Sequence, residues 1–337
     1  MDMMLSLPYV AVSLRGAATL TVILFTRHRL ANILQKLNSL LARSLIVSGP
    51  NTQRYIRRWR LQISFVSVFF IAYLSATEYF NITGTIKQMN LTWTEGNMYD
   101  PLPPIFPVWL SMGFYETFLE VTFMLSIQVS ILLIFSALVL TACTDRINDN
   151  LRLQTEITVS KKLDDLWKST ECLEDLLHQH AEVMDACKNV NAVFGLFFAV
   201  AYCLDFLALV SYVTNWLLNT ALMLDNLWSA VYEVLITINV VVCGGMFLIP
   251  LFRMHDHALE IYEGLCNYAD AAVPVLQSDQ GNQLRRTLHL FMHKSRNQHI
   301  IIQGWHTVYA TRHLFVATFT ICVSFVVVAH EVLQKSR

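Results

Sequence analysis

Residues 191–216 form the stretch NAVFGLFFAVAYCLDFLALVSYVTNW, which holds a single charged residue, Asp205. An α-helix needs about 20 consecutive, mostly apolar residues to cross the hydrocarbon core of a bilayer. This stretch is longer than that. Its apolar residues also occupy every helical face, whereas a surface helix of a soluble protein has one apolar stripe. The stretch therefore predicts a membrane-spanning helix.

Five other stretches approach or exceed the same length, so we predict six spans in all. Their approximate bounds, with the first stretch included, are 5–25, 61–80, 106–143, 191–217, 227–252 and 313–333. The span at 5–25 is the weakest, because Arg15 lies near its middle. Together they predict one all-α domain over residues 1–337, a polytopic transmembrane helical bundle in a lipid bilayer.

The composition supports a membrane protein. Hydrophobic residues make up 55% of the chain and charged residues 15%, whereas soluble domains average about 25% charged residues. The formal net charge is −1, so the chain lacks the basic excess of a nucleic-acid-binding protein. None of the seven cysteines lies in residues 81–105, and we expect no disulfide framework.

The lysines and arginines predict how the bundle is oriented. Residues 27–60, 145–190 and 253–312 together hold 20 of them, whereas residues 81–105, 217–226 and the C-terminal tail hold three. Cytoplasmic loops carry the excess of Lys and Arg. The first three segments are therefore predicted to be cytoplasmic, and the C-terminus of this plasma-membrane protein is predicted to be extracellular.

The loop predicted to be outside, residues 81–105, carries two tripeptides of the N-glycosylation type. They begin at Asn81 and Asn90, each followed by a threonine two residues later. Such tripeptides accept glycans on the extracellular side of secreted and membrane proteins. We therefore predict glycosylation at Asn81 and Asn90.

The cytoplasmic segments show helical periodicity. Apolar residues recur every three or four positions from Leu166 to Cys187, with acidic residues mostly on the other faces. This pattern predicts an amphipathic helix that runs directly into the span beginning near Asn191. Residues 253–303 show a similar mixture around Leu259, Ile261, Leu265, Leu284, Leu288 and Phe291. We expect these long helical extensions to pack against each other or against copies of the chain.

The sequence carries no motif that indicates catalysis. It has no P-loop, no G-x-S-x-G, no H-E-x-x-H and no G-x-G-x-x-G. His289 and His293 lie four residues apart in the second cytoplasmic segment, but no cysteine or carboxylate completes a ligand set around them. We expect no enzyme activity, no cofactor and no metal site.

Ionisable residues within spans are costly and often functional. Several acidic residues lie toward the predicted outer halves of the spans, together with Trp and Tyr side chains. A membrane-interface belt would explain part of this enrichment, but a pocket open to the outside with aromatic walls explains it too. The residues predicted to contact a ligand are Tyr79, Trp109, Tyr115, Glu116, Tyr212, Trp216, Tyr232 and Glu233.

Most of the chain resembles the arthropod gustatory receptor family of the insect-type chemoreceptor superfamily, and the resemblance is anchored at the C-terminal end. The last span of that family carries Thr-Tyr, five apolar residues and Gln-Phe, and residues 324–332 here are SFVVVAHEV. Every motif position is substituted, the first two conservatively. The segment from Gly304 to Phe315 resembles the family's approach to that span, and His180 to Gly195 is similar to the entry into its fifth span.

The resemblance implies a ligand-gated, non-selective cation channel that detects a small-molecule tastant. The chain would assemble as a homo- or hetero-tetramer with other gustatory receptors, and the last span would line a central pore through Ser324, Val328 and Glu331. The family has seven spans and a cytoplasmic N-terminus. Residues 5–25 align best with its second span, so either the first span is missing or the chain is a divergent relative.

Two other classes of membrane protein remain as alternatives. A G-protein-coupled receptor has a cytoplasmic C-terminus and usually a disulfide to an outer loop, and both features disagree with the pattern here. A secondary transporter usually shows paired repeats with broken helices. Gly244, Gly245 and Pro250 could break one helix, but no matching second half is evident. The sequence does not identify the ligand.

We predict that an epitope tag placed after Arg337 is stained by antibody on intact cells, because the charge bias places the C-terminus outside. The measurement is surface immunofluorescence before and after permeabilisation, with a tag inside residues 145–190 as the cytoplasmic control. Staining of the C-terminal tag only after permeabilisation would reverse the predicted orientation.

Overall fold

The computed structural model describes residues 2–46, 108–160, 166–225, 227–277, 281–304 and 307–335, and isolated positions 57, 61, 64 and 68. The long helices are α1 (Asp2–Ile46), α2 (Val108–Ser160), α3 (Leu166–Asp225), α4 (Leu227–Ala271), α6 (Asn282–Asn297) and α7 (Arg312–Lys335). A single turn, α5 (Val273–Leu276), follows α4. Strands β1 (Gln303–Gly304) and β2 (Val308–Tyr309) pair in an antiparallel hairpin between α6 and α7.

Four of these helices are more than twice as long as the hydrocarbon core of a bilayer is thick. Helix α3 has 60 residues, which at 1.5 Å per residue is about 90 Å, whereas the hydrocarbon core is about 30 Å thick. Helices α1, α2 and α4 have 45, 53 and 45 residues. The amphipathic segment before Asn191 and the apolar stretch after it therefore belong to one unbroken helix, as their patterns predict.

Two of the described helical stretches are long and apolar enough to cross a membrane. They are Leu125–Val159 and Ser169–Ser211, and a shorter apolar stretch covers Arg312–Phe325. Their length exceeds one crossing, because each joins a strongly apolar part to the polar extension beside it. The spans predicted at 61–80 and the loop at 81–105 lie outside the described residues, apart from positions 61, 64 and 68.

The extensions of the helices pack against one another and continue the core of the predicted spans. On α3, Leu173, Met184 and Cys187 are buried, whereas Glu171 and Glu174 are exposed. The buried residues of α4 and α6 include Ile261, Leu265, Leu284, Leu288 and Phe291. One residue of the predicted apolar face differs, since Leu259 is 44% exposed. The segments 145–190 and 253–303 therefore pack against each other within one chain.

Polar contacts tie these extensions together. Lys36 on α1 pairs with Asp185 on α3. His257 Nδ1 on α4 lies 2.6 Å from Asp145 Oδ1 on α2, and Asn148 Nδ2 donates to the His257 carbonyl at 2.9 Å. These contacts fix the register between α2 and α4, while exposed pairs such as Lys36–Asp185 contribute little stability.

The hairpin packs against α3 through two glycines. A Cβ at Gly195 would lie 2.6 Å from the carbonyl oxygen of Gln303, and a Cβ at Gly304 would lie 2.9 Å from the carbonyl oxygen of Gly195. Real Cβ atoms do not approach other atoms this closely. Only glycine therefore allows the hairpin backbone to lie directly on α3, and both residues fall in segments that carry the family resemblance.

We predict that Gly304→Ala destabilises the protein, because the added methyl group would collide with Ala199 and with the Gly195 carbonyl. Overpacking of this kind costs about 1–3 kcal/mol. The measurement is the melting temperature of the purified protein in detergent. The matched control is Gly264→Ala, whose Cβ would lie 3.5 Å from Leu151 Cδ1, an ordinary contact. Equal melting temperatures for the two variants would mean that the hairpin can move off α3.

Candidate functional site

An arginine within the predicted first span joins three helices. Arg15 on α1 pairs with Asp205 on α3 through Nη1. Its Nε donates to Ser126 Oγ at 2.6 Å and its Nη2 to Ser130 Oγ at 3.2 Å, both on α2. The Arg15 and Asp205 side chains are 12% and 23% exposed. The guanidinium is therefore paired and hydrogen-bonded, which is how a buried charge is tolerated.

Sequence reasoning identified Arg15 and Asp205 as ionisable residues within spans but did not pair them. The signal was present, because opposite charges lie near the middle of two predicted spans. The role of Ser126 and Ser130 was missed. Serine is common in helices that span membranes, so the sequence alone gave no reason to choose these two.

The hairpin is held on α3 by the side chain of Asn191, at the junction between the amphipathic and apolar parts of that helix. Asn191 Nδ2 donates to the Ile301 carbonyl at 2.7 Å, and Asn191 Oδ1 accepts from the Gln303 backbone N–H at 3.2 Å. Cys187, one turn earlier, places its Sγ 3.6 Å from the same Ile301 carbonyl. Burial raises the pKa of the Cys187 thiol to about 12, so the thiol stays protonated and unreactive.

The extensions also enclose a neutral histidine. The His180 ring on α3 lies 5.4 Å from the Phe291 ring on α6, centroid to centroid. Burial, together with the positive charge of Lys294, lowers the pKa of His180 to about 4. The imidazole is therefore uncharged at neutral pH and serves as part of the packing between α3 and α6.

Helix α7 begins beside α3 and α4. Thr311 caps its first turn, with the Leu314 backbone N–H donating to Thr311 Oγ1 at 3.3 Å. Arg312 Nε lies 2.5 Å from Asp256 Oδ2 of α4, and a hydrogen bond joins Thr318 to Tyr202 of α3. The first turns of α7, which we call its entrance, are therefore connected to both α3 and α4.

Beyond this entrance, one face of α7 packs and the others are exposed. Leu314, Thr318, Cys322 and Phe325 are half-buried. The three residues predicted to face a pore are all exposed, and Val328 is 59% exposed. Ser324, Val328 and Glu331 lie roughly a quarter-turn from the packed face at the ordinary helical twist. Their common face is thus available to a partner that the single chain does not contain.

The side chains predicted to contact a ligand lie outside the described part of the structure. Tyr79 lies outside the described residues, as do the predicted glycosylation sites Asn81 and Asn90. The backbone of the other seven is helical, but their side chains lie outside the described part. These seven residues are Trp109, Tyr115, Glu116, Tyr212, Trp216, Tyr232 and Glu233. They lie near the ends of α2, α3 and α4 that are far along the chain from the hairpin.

Potential metal ligands are not grouped within the described part of the chain. Among the described residues, no group of three or more His, Cys, Asp or Glu side chains is arranged to hold a metal ion. His293 Nε2 instead lies 2.9 Å from Asn297 Nδ2 on the exposed side of α6.

Comparison with known structures relates this arrangement of helices to one fold. The insect olfactory receptor OR5 from Machilis hrabei in complex with eugenol matches with a TM-score of 0.66 at 13% identity, over 97% of this chain and 80% of that one. The same receptor in a second structure matches with a TM-score of 0.65 at 14% identity, over 98% and 81%. No protein-family model and no curated protein sequence matches.

This chain has the insect olfactory receptor fold. The predicted all-α fold class is therefore confirmed, and the fold agrees with the one that the resemblance implies. The match covers nearly the whole chain, so α1 and α7 both belong to the shared architecture.

We predict that Arg15→Met and Asp205→Leu each destabilise the bundle, because each leaves the partner charge buried without compensation. Breaking a buried pair costs about 3–5 kcal/mol, whereas replacing both partners with apolar residues is often close to neutral. The double variant should therefore melt at a higher temperature than either single variant. Arg27→Met, which removes an exposed arginine from the same helix, is the control.

The measurement is the melting temperature of the four purified variants and wild type. If the losses in the two single variants simply add in the double variant, Arg15 and Asp205 are not energetically coupled.

Proposed function

We propose that this protein is a ligand-gated, non-selective cation channel and chemoreceptor that detects a small-molecule tastant, and that it is not an enzyme. The shared fold over 97% of the chain carries the proposal. One neighbour with this fold is an olfactory receptor in complex with eugenol, a small organic molecule. The proposal places the protein in the plasma membrane with its C-terminus outside the cell.

The surface of α7 supports assembly around a pore. Many of its large apolar side chains are exposed, including Val316 at 59%, Phe319 at 66% and Val327 at 52%. An apolar surface of this extent needs lipid or protein to cover it. In the proposed homo- or hetero-tetramer with other gustatory receptors, lipid and neighbouring subunits cover these residues, and Ser324, Val328 and Glu331 face a central pore.

Four copies of this face would form rings around the pore axis. Val328 would supply an apolar ring that resists wetting in the closed state, and Glu331 a ring of carboxylates on its outer side that attracts permeating cations. Both residues are exposed in the single chain, which leaves their side chains available for these roles.

The ligand site is proposed at the outer ends of the helices. Trp109, Tyr115 and Glu116 lie near the start of α2, and Tyr232 and Glu233 near the start of α4. Tyr212 and Trp216 lie near the end of α3, which the short connection at residue 226 brings beside the start of α4. Tyr79 is proposed as a further contact. A pocket with aromatic walls and two carboxylates would suit a small organic ligand with polar groups.

A secondary transporter is less well supported by the fold. Transporters of the broken-helix type bind substrate where a span is interrupted. Helix α4 instead continues through Gly244, Gly245 and Pro250 without interruption. Pro250 removes one backbone donor from the helix, but the helical conformation extends to Ala271.

We predict a ligand-evoked cation current in whole-cell recordings from cells that express the protein and receive a tastant panel that includes eugenol. Glu331→Gln should reduce divalent block or relative divalent permeability without abolishing the current, because it removes the carboxylate ring. Val328→Ser should raise the basal current, because a hydroxyl ring wets more readily. Val327→Ser is the matched control, since Val327 lies on a different face of α7.

Three results would count against these roles. Unchanged permeation and block in Glu331→Gln, with normal gating in Val328→Ser, would remove this face from the pore. An equal rise in basal current from Val327→Ser would show that the effect is not specific to the face. Absence of current from wild type and Val328→Ser, with both at the cell surface, would contradict a channel.

A further inference from the structure

A cavity lies below the entrance of α7, between the extensions of α3 and α4 and the chain that follows α6. Its volume is about 640 Å³. Lys188, Gln298 and His299 line it and are exposed, whereas Met184, Cys187 and Ile301 line it and are buried. The cavity therefore has a polar mouth in contact with solvent and an apolar inner wall. We call it the His255 cavity, after the residue of α4 that lines it.

The lining of the His255 cavity favours negative charge. Lys188 supplies an ammonium group, His255 and His299 supply imidazoles, and Gln298 and Gln303 supply carboxamides. Within the described part of the chain, no aspartate or glutamate lines it. A cavity with cationic and amide donors and no carboxylate is suited to an oxyanion, since charge-assisted hydrogen bonds are the strongest available there.

The two histidines are close and incompletely paired. Their ring centroids lie 6.2 Å apart with the ring planes at 77°. Nδ1 of His255 is buried and has no hydrogen-bond partner within the described structure. A buried imidazole nitrogen without a partner is costly. Because this nitrogen is buried, an anion in the cavity would act on the His255 ring through its charge rather than through a contact with Nδ1.

The surroundings of His255 disfavour its charged form. Burial lowers the pKa of His255, and His299 lowers it further, while a hydrogen bond to the Ile300 carbonyl and the carboxylate of Asp256 oppose the shift. Asp256 is itself paired with Arg312. The other titratable groups that line the cavity are Cys187 and Lys188 on α3, and His299 and Tyr309 from the chain after α6.

The end of α6 acts against an anion, but only weakly. Asn297 lies at the C-terminus of that helix, where the helix dipole is negative and its effect falls off within one turn. Lys294 and Arg296 lie in the same last turn and offset it. Lys188 therefore supplies the positive charge of the cavity lining.

We propose that the His255 cavity binds a small, multiply charged oxyanion, a phosphate or polycarboxylate, between Lys188, His255 and His299. The three groups come from α3, from α4 and from the chain that leads into the hairpin. A bound oxyanion would bridge these three elements. If α7 lines a pore, as proposed above, the anion would act on the entrance of the pore helix, so this regulatory role rests on the proposed function, whereas binding does not.

The experiment measures binding of inorganic pyrophosphate and of citrate to the purified full chain in detergent, by isothermal titration calorimetry and by the shift in melting temperature. Lys188→Gln and His299→Gln should each weaken binding about tenfold or more, because each removes one charge-assisted contact. The controls are Lys36→Gln on α1 and His289→Gln on α6, which change the same residue types outside the cavity lining. Both controls should bind as wild type does.

Affinity should also depend on pH with a definite sign. Binding takes up protons if the oxyanion favours the charged form of His255. The ratio of wild-type affinity to His255→Gln affinity, in which the titration of the anion itself cancels, should therefore be larger at about pH 6 than at about pH 8. A ratio that does not change with pH would show that His255 does not help to hold the anion.

A final arm distinguishes soluble anions from lipid headgroups. Phosphatidylcholine vesicles with and without phosphatidylinositol bisphosphate are tested beside pyrophosphate and citrate. Binding to the phosphoinositide vesicles alone, lost in Lys188→Gln, identifies a lipid headgroup as the source of the oxyanion. The proposal is overturned if neither the soluble anions nor the vesicles bind, or if the cavity and control variants bind alike. These outcomes do not depend on whether the protein conducts current.

Discussion

The architecture depends on one constraint, the mismatch between the length of the helices and the thickness of a bilayer. Helix α3 is about 90 Å long by its 60 residues, so less than half of it can lie in hydrocarbon. The remainder lies outside the hydrocarbon, so its apolar face must be shielded from water. Leu173, Val183 and Met184 on this face are buried against the neighbouring extensions. Each long helix therefore has a part in the predicted span and a part in the extension, and one continuous cluster of buried residues joins the two parts.

Because the same helices run through both layers, the layers cannot move independently. Side-chain contacts tie α3 to its neighbours at successive levels: Arg15 with Asp205 within the predicted spans, Asn191 with the hairpin at the boundary, and Lys36 with Asp185 in the extension. The contacts that are well buried, at Arg15 and Asn191, contribute most, since an exposed ion pair adds little. Helix α3 is the element that all of these contacts share.

The sequence predicted the fold class and the continuity of α3, because hydrophobic runs and helical periodicity are local signals. Most described residues of the predicted apolar faces are buried, but Leu177 is half-buried and Leu259 is exposed. Leu259 follows the apolar period of α4 but faces the His255 cavity, and whether a helix face meets a neighbour or a cavity depends on tertiary packing. The pairing of Arg15 with Asp205 and the contact between Gly195 and Gly304 also join distant parts of the chain, so neither is visible in a local pattern.

These contacts also explain how a change at the outer ends of the helices could reach α7. Tyr202, one turn before Asp205 on α3, is hydrogen-bonded to Thr318 of α7, and the hairpin that precedes α7 rests on Gly195 of the same helix. A shift of α3 along its axis would therefore act on α7 at two points on the same side of the Arg15 contact. The contact between Gly195 and Gly304 leaves no space to absorb such a shift. Closely packed elements move between discrete arrangements more readily than they deform continuously. A displacement of α3 would therefore reach the first turn of α7 through the strands that rest on Gly195.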